Sequence, residues 1–179
     1  CCNCYSQKVL VSVFMEDRVA GESNDTIYHN IKRKLAWKDF KGVPDTKHFG
    51  GAVTASGYAF DADIKIEGKI IYLNVGVYVF FKKSQSWKKS SINSQYHLLH
   101  EQTHFDITRL GAENFINQLV NSKFTKDNYN QMLDSVFDKS YNENFALQEQ
   151  YDKETQHSVN KEAQLKWNDR IAGEMKKIK

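Results

Sequence analysis

The chain has 179 residues, with 25 Lys and Arg against 22 Asp and Glu, and six histidines. This length is sufficient for one domain with its own hydrophobic core. A net charge of +3 is too small to indicate a nucleic-acid-binding protein, and 40% hydrophobic residues argue against disorder. No apolar run approaches the roughly 18–20 residues that a membrane-spanning helix needs.

All cysteines of the chain lie near its start, at Cys1, Cys2 and Cys4. Cysteines this close together cannot cross-link distant segments, and no later cysteine offers a second pair of metal ligands. We interpret residues 1–7 as the remnant of an export segment or as the N-terminus of a lipoprotein. Either interpretation predicts an exported protein, in the periplasm, at the cell surface or secreted, with residues 8–179 forming one domain.

The first half of the chain carries strand signals. Lys8–Met15 is rich in β-branched and aromatic residues and predicts a first strand. Residues 52–81 predict two long strands joined by a tight turn at Glu67-Gly68. Two lysine pairs follow around Trp87, and we interpret them as a solvated loop, so that no nucleic-acid partner is expected.

After residue 91, apolar residues recur at steps of three and four. This spacing predicts helices over 92–121, over 126–147 and from about Val159 onward. Strands followed by helices are typical of an α+β domain, and no repeat or linker divides the chain. We therefore predict a single α+β domain in which a twisted antiparallel sheet packs on the first long helix.

The first predicted helix contains the segment His100-Glu101-Gln102-Thr103-His104. Residues four apart lie on the same face of a helix, so His100 and His104 can bind one tetrahedral Zn²⁺. Glu101 then lies beside the metal as a general base for an activated water. The segment is bracketed by apolar residues, which favours this interpretation over a chance histidine pair on a surface helix (Leu98, Leu99 and Phe105).

A zinc site of this kind requires a third protein ligand. His97 lies on the same helix but about one turn too far along its axis. The chain returns toward the motif after the second predicted helix, where His157 is our predicted third ligand. Asp152 and Glu154, in the same segment, are the alternatives.

Two further residues are assigned supporting roles. Tyr151 is predicted to donate a hydrogen bond to a developing oxyanion, with a buried core tyrosine as the alternative. Asp106 follows His100 by six residues and therefore faces away from the metal. We predict that Asp106 pairs with a neighbouring segment.

Several short motifs occur in an order that resembles a known family. They are Trp37-Lys38-Asp39-Phe40-Lys41-Gly42, Ala52-Val53-Thr54-Ala55-Ser56-Gly57, Leu99–Ile107 around the histidine motif, and Tyr151–His157, with Gln164 and Trp167 beyond. Over about residues 36–167, the chain resembles the bacterial family catalogued as domain of unknown function nine-two-two, whose members are labelled secreted zinc-dependent proteases. The resemblance implies a zincin-like peptidase fold. It also implies His100, His104 and His157 as zinc ligands and Glu101 as general base.

The chain departs from this family pattern at two places. The family has Gly after the third histidine, where this chain has Ser158. The family's Glu and Arg after the motif are exchanged here, as Arg109 and Glu113. Residues four apart on a helix still face each other, so we expect these two to form an ion pair.

These observations predict a zinc metallopeptidase that acts on peptide or protein substrates. Water attacks the peptide carbonyl, Glu101 transfers the proton, and an edge strand from 69–81 or 52–60 binds the substrate by strand addition. One alternative is a zinc hydrolase of a non-peptide amide. The other is a zinc-stabilised binding module without turnover.

Overall fold

The structure is a computed structural model that describes residues 8–21 and 23–178, and it confirms the α+β prediction. Export stays a prediction, because residues 1–7 lie outside the described part. None of the described helices is both long enough and apolar enough to cross a membrane. The strands and helices are β1 (Lys8–Met15), β2 (Thr26–Tyr28), β3 (Ala52–Val53), β4 (Ser56–Glu67), β5 (Ile70–Lys82), β6 (Trp87–Lys88), α1 (Gln95–Val120), α2 (Tyr129–Thr155) and α3 (Lys161–Met175).

Four strands form a mixed sheet with β5 at its centre. Strand β4 pairs antiparallel along the whole of β5, while β1 and β2 share its other side. The prediction of an antiparallel sheet is wrong at β1, which runs parallel to β5 from Lys8↔Ile70 to Met15↔Val77. A parallel pair requires a long connection, and residues 16–69 supply it.

The central position of β5 also removes one predicted edge strand. Residues 69–81 cannot add a substrate strand, because β5 is paired on both sides. The turn that joins β4 to β5 lies at Gly68-Lys69, one residue later than predicted. Gly68 has φ of 58°, a left-handed conformation that glycine adopts without steric cost.

Helix α1 packs between the sheet and the other two helices. Alternate residues of β5, from Leu73 to Phe81, are buried in the same cluster as aromatic residues of α1 such as Phe105 and Phe115. A helix covered on several sides buries polar as well as apolar residues, and each buried polar group then needs a partner. This is the environment of the His100–His104 motif.

Helix α2 lies close against α1 where they cross at Gly111. A Cβ atom at this position would lie 2.9 Å from Asn144 Cβ, so the approach requires glycine. Asn144 Nδ2 donates to the carbonyl oxygen of Ile107, 2.9 Å away. This contact aligns α2 so that its last turns pass over the motif on α1.

Candidate metal centre

Helix α1 holds the two histidines of the motif one turn apart. Its N-terminus is capped by Ser94, whose hydroxyl accepts from the backbone N–H of His97. His100 is only 4% exposed, and its Nε2 atom lies 3.2 Å from Nε2 of His104. The structure thus brings the two predicted ligands together, with the same ring nitrogens facing each other.

Asp152, near the end of α2, completes a triangle with these nitrogens. Its Oδ1 atom lies 3.1 Å from His100 Nε2 and 3.1 Å from His104 Nε2. Zinc bonds of about 2.0–2.1 Å in tetrahedral geometry correspond to ligand atoms about 3.3 Å apart. The three donor atoms therefore have the chemistry and the spacing that a zinc ion requires.

Two glutamines fix the orientation of the histidine rings. Nδ1 of His100 lies 2.6 Å from Gln164 Oε1, and Nδ1 of His104 lies 2.6 Å from Gln148 Oε1. The amide nitrogen of Gln164 already donates to Tyr151 and Asn168, and that of Gln148 donates to Thr108 and to the carbonyl of His104. Both amide oxygens consequently face the imidazoles.

An amide oxygen can only accept a hydrogen bond, so each histidine carries its proton on Nδ1. Both Nε2 atoms then direct a lone pair into the triangle, where Asp152 adds a carboxylate oxygen. This is the arrangement by which neighbouring groups orient metal-binding histidines. Three converging lone pairs repel one another unless a cation lies among them.

The shifted pKa values of His104 and Asp152 also indicate that the triangle attracts a cation. Burial disfavours the charged form of His104, but the hydrogen bond and the charge of Asp152 outweigh it and raise the pKa of His104. Burial likewise opposes ionisation of Asp152, yet the contacts of its carboxylate with His100 and His104, and the positive charge they carry when protonated, hold the pKa of Asp152 far below its usual range. Asp152 is therefore ionised throughout the physiological pH range.

Glu101 is buried beside the triangle and points into the same cavity. It is 4% exposed, and Thr54 Oγ1 donates to its Oε2 atom over 2.7 Å. The same hydroxyl lies 3.2 Å from the Glu101 carbonyl oxygen. Thr54, between β3 and β4, thus fixes one carboxylate oxygen, while Oε1 has no hydrogen bond among the described residues.

The cavity at this site has a volume of about 210 Å³. One wall is the segment that includes β3, and the other is formed by α1 and the end of α2. The residues that line it are His48, Gly51, Ala52, Val53, Thr54, Ile92, His97, His100, Glu101, His104, Asp152, His157 and Ser158. The carboxylates of Glu101 and Asp152 and the imidazoles of His100 and His104 therefore open into one space.

The β3 wall presents unpaired backbone groups. Lys89 N donates to Gly51 O, which makes these two residues a hydrogen-bonded pair of the β3–β6 ladder. Antiparallel ladders alternate, so the N–H and C=O groups of Ala52 and Thr54 point away from β6. None of these four groups has a hydrogen-bond partner in the described part of the chain.

His157, the predicted third ligand, lies beside the triangle. Its Nδ1 atom is 3.3 Å from Asp152 Oδ1, but the set of mutually close ligand atoms consists of His100, His104 and Asp152. The structure thus gives the third donor position to Asp152, an alternative named from the sequence. It places His157 against the outer side of that carboxylate.

Tyr151 lies behind His100, with its ring stacked on the imidazole at 4.6 Å. Its hydroxyl donates to the His100 carbonyl over 3.3 Å and accepts from Gln164, and burial raises the pKa of Tyr151. The side chain is fully buried and does not line the cavity. This is the position of a buried core tyrosine, the alternative to the predicted oxyanion donor, since the Tyr151 hydroxyl does not reach the cavity.

The remaining predictions concern the far side of α1. Asp106 accepts from His29 Nε2 over 3.0 Å and from Gln102 Nε2 over 2.8 Å, as predicted for a residue that pairs with a neighbouring segment. These contacts lower the pKa of Asp106 against the effect of burial. The expected Arg109–Glu113 ion pair is present, at 2.5 Å.

Sequence reasoning missed the roles of Thr54, Gln148 and Gln164. Thr54 and Gln164 belong to the motifs of the family resemblance, and that was their only signal. Comparisons of the chain with protein-family models, with curated proteins and with solved structures find no match. Membership of the zincin-like family therefore stays a prediction.

Proposed function

We propose that this protein is a zinc-dependent peptidase in which His100, His104 and Asp152 hold the metal and Glu101 is the general base. The observation that carries the proposal is the convergence of three donor atoms at 3.1–3.2 Å beside a buried carboxylate. When bound there, a zinc ion supplies a Lewis acid that polarises a carbonyl and lowers the pKa of a water molecule.

Glu101 performs the proton transfers in this mechanism. Thr54 occupies Oε2 of Glu101, which leaves Oε1 to accept a proton from the attacking water. The same oxygen returns the proton to the leaving amine as the carbon–nitrogen bond breaks. Because Thr54 restrains the carboxylate from one side only, Glu101 can carry the proton between water and amine with little reorganisation.

The free edge at β3 supports a peptide as substrate. An extended peptide can pair with the backbone groups of Ala52 and Thr54, which have no partner in the described chain. Such pairing would hold the peptide along one wall of the cavity, within reach of Glu101. Of the two edges predicted from the sequence, the one at 52–60 thus remains the candidate.

A second candidate function follows from the size of the cavity. Its volume of about 210 Å³ is below the roughly 300–1,000 Å³ typical of ligand pockets. A small space beside the metal also suits the acyl group of a non-peptide amide. The unpaired β3 edge favours the peptidase, because a small amide would not need it.

The test replaces the proposed base while leaving the proposed ligands in place. Glu101→Gln keeps an oxygen that can accept from Thr54, so we expect it to fold, to retain zinc and to lose about 10²–10⁴-fold in kcat/KM on casein or a peptide library. Glu162→Gln, an exposed carboxylate on α3, is the matched control. Undiminished cleavage by Glu101→Gln would refute the role of Glu101.

A further inference from the structure

We propose that Phe49 selects the substrate by binding an aromatic or large apolar side chain next to the scissile bond. The inference rests on the proposed peptidase function and names a substrate class for it. Phe49 lies three residues before Ala52, the first residue of β3 with unpaired backbone groups. It was not among the residues singled out from the sequence.

The position of Phe49 distinguishes it from other exposed apolar residues. Its ring is 76% exposed, and single exposed hydrophobic residues are ordinary on protein surfaces. This ring, however, lies 4.3 Å from the ring of His157, whose Nδ1 contacts Asp152 over 3.3 Å. Phe49 is thus one side chain away from the donor triangle, in contact with His48 and His157, which both line the cavity.

Contacts beneath Phe49 hold the ring in place. His48 stacks parallel to it at 5.1 Å, with 9° between the ring planes, and packs edge-on against the buried Trp87 at 5.4 Å. His48 Nδ1 also accepts from the backbone N–H of Gly50, and the His48 carbonyl accepts from Lys89. Stacking on this restrained imidazole limits the orientations of the Phe49 ring, which lowers the entropy that it loses when a ligand packs against it.

Gly50 and Gly51 connect Phe49 to the unpaired edge of β3. A Cβ atom at Gly51 would lie 2.8 Å from Ile92 Cδ1, so this position has no room for a side chain. The chain can therefore turn from Phe49 directly into β3 while lining the cavity. A peptide that pairs with Ala52 and continues past Gly51 would approach Phe49.

The ring supplies apolar contact and no charge. His48 and His157 pack against parts of it, and its remaining surface is open to solvent. An aromatic side chain of the substrate can stack there and remove both surfaces from water. A small or charged side chain of the substrate would leave Phe49 exposed and would remove less apolar surface from water.

The experiment measures kcat/KM of the zinc-loaded protein on a fluorogenic peptide series in which Phe or Ala occupies each position flanking the scissile bond. We expect the wild type to prefer Phe at one position on the order of tenfold. Phe49→Ala should lose this preference while keeping its rate on the Ala peptide, and Phe49→Tyr should retain it. Phe14→Ala, which removes an exposed ring from β1, is the matched control.

A binding measurement gives a second readout that does not depend on turnover. In the Glu101→Gln background, we expect Phe49→Ala to weaken the Kd of the Phe peptide about tenfold, with the Kd of the Ala peptide unchanged. If Glu101-dependent cleavage occurs and Phe49→Ala leaves the Phe-to-Ala ratio unaltered, the inference is overturned and the peptidase stands. If no Glu101-dependent cleavage of any peptide occurs, both are overturned.

Discussion

At the scale of single residues, the donor triangle depends on groups that bind no metal themselves. Gln148 and Gln164 come from different helices, and each accepts from one imidazole. Their amide nitrogens are anchored elsewhere, so the rings of His100 and His104 are oriented before any cation arrives. Preorganisation of this kind lowers the free energy required to assemble a metal site.

The assignment of the third ligand is testable with neighbouring substitutions. Asp152→Asn removes the charged oxygen from the triangle, and we expect it to weaken zinc binding by at least 100-fold. His157→Ala removes only a contact to that oxygen, for which about tenfold is expected. Competition with a chromophoric chelator measures both affinities.

Glu154→Gln is the matched control, because this carboxylate accepts from Trp167 on the other side of α2. Its zinc affinity should equal that of the wild type. A protein that keeps its zinc with Asn at position 152 and loses it with Ala at position 157 would reverse the assignment and restore His157 as the ligand.

Zinc affinity should depend on pH through His104. The pKa of His104 is raised, since its interaction with Asp152 outweighs the effect of burial, and the usual value for histidine is about 6.5. A protonated imidazole cannot bind metal, so affinity is complete above the raised pKa and declines below it. We expect the decline to begin above pH 6.5 and to approach tenfold per pH unit; equal affinities at pH 8 and pH 6 would contradict this.

At the scale of elements, the end of α2 is the strained part of the site. Gln156, His157 and Ser158 all have positive φ, at 50°, 51° and 73°. Non-glycine residues adopt this conformation at a cost, and such residues are commonly found at functional sites. The strained turn is held by Tyr96, whose hydroxyl donates to the Ser158 carbonyl over 2.8 Å. It positions His157 against Asp152.

Replacement of Ser158 by glycine should relieve part of this strain. Glycine adopts φ near 73° freely, so we expect Ser158→Gly to raise the free energy of unfolding by about 1 kcal/mol in urea denaturation. This is also the position at which the resembled family carries glycine. The control is Ser135→Gly in the exposed middle of α2, expected to lower stability by roughly 0.5–1 kcal/mol. If Ser158→Gly lowered the free energy of unfolding, the backbone at Ser158 would not be strained.

Local sequence patterns predicted strands and helices well where buried apolar side chains recur at a regular spacing. Lys8–Met15 has the predicted bounds, because alternate side chains contact the core. Helix α2 continues eight residues past the predicted end at Leu147. Most of these residues are polar, and Gln148 and Asp152 among them contact His104. Apolar spacing cannot reveal a helix turn whose inner face carries polar side chains instead of apolar core residues.

At the scale of the whole molecule, the site draws on every layer of the fold. Helix α1 supplies two donors, α2 the third, α3 supplies Gln164, and the segment after β3 supplies Thr54. The motif on α1 was evident from the sequence because its residues are four apart. The parallel pairing of β1 was not, and Asp152 was only an alternative to His157, since both features depend on contacts between segments distant in the chain.

Such a distributed site should link metal binding to folding. Bound zinc would join α1 and α2, whose donor atoms otherwise meet with converging lone pairs. It would therefore stabilise the folded chain in proportion to its affinity. The proposed peptidase function therefore depends most directly on whether the triangle holds a metal.

The decisive measurement is the zinc content of the purified protein after equilibrium dialysis against micromolar zinc. The account predicts one zinc ion per wild-type chain, and less than one-tenth of that for His104→Ala. Tyr151 packs against His104, so circular dichroism should verify that the variant is folded. A wild type without stoichiometric zinc, or a folded His104→Ala that retains it, would contradict the account.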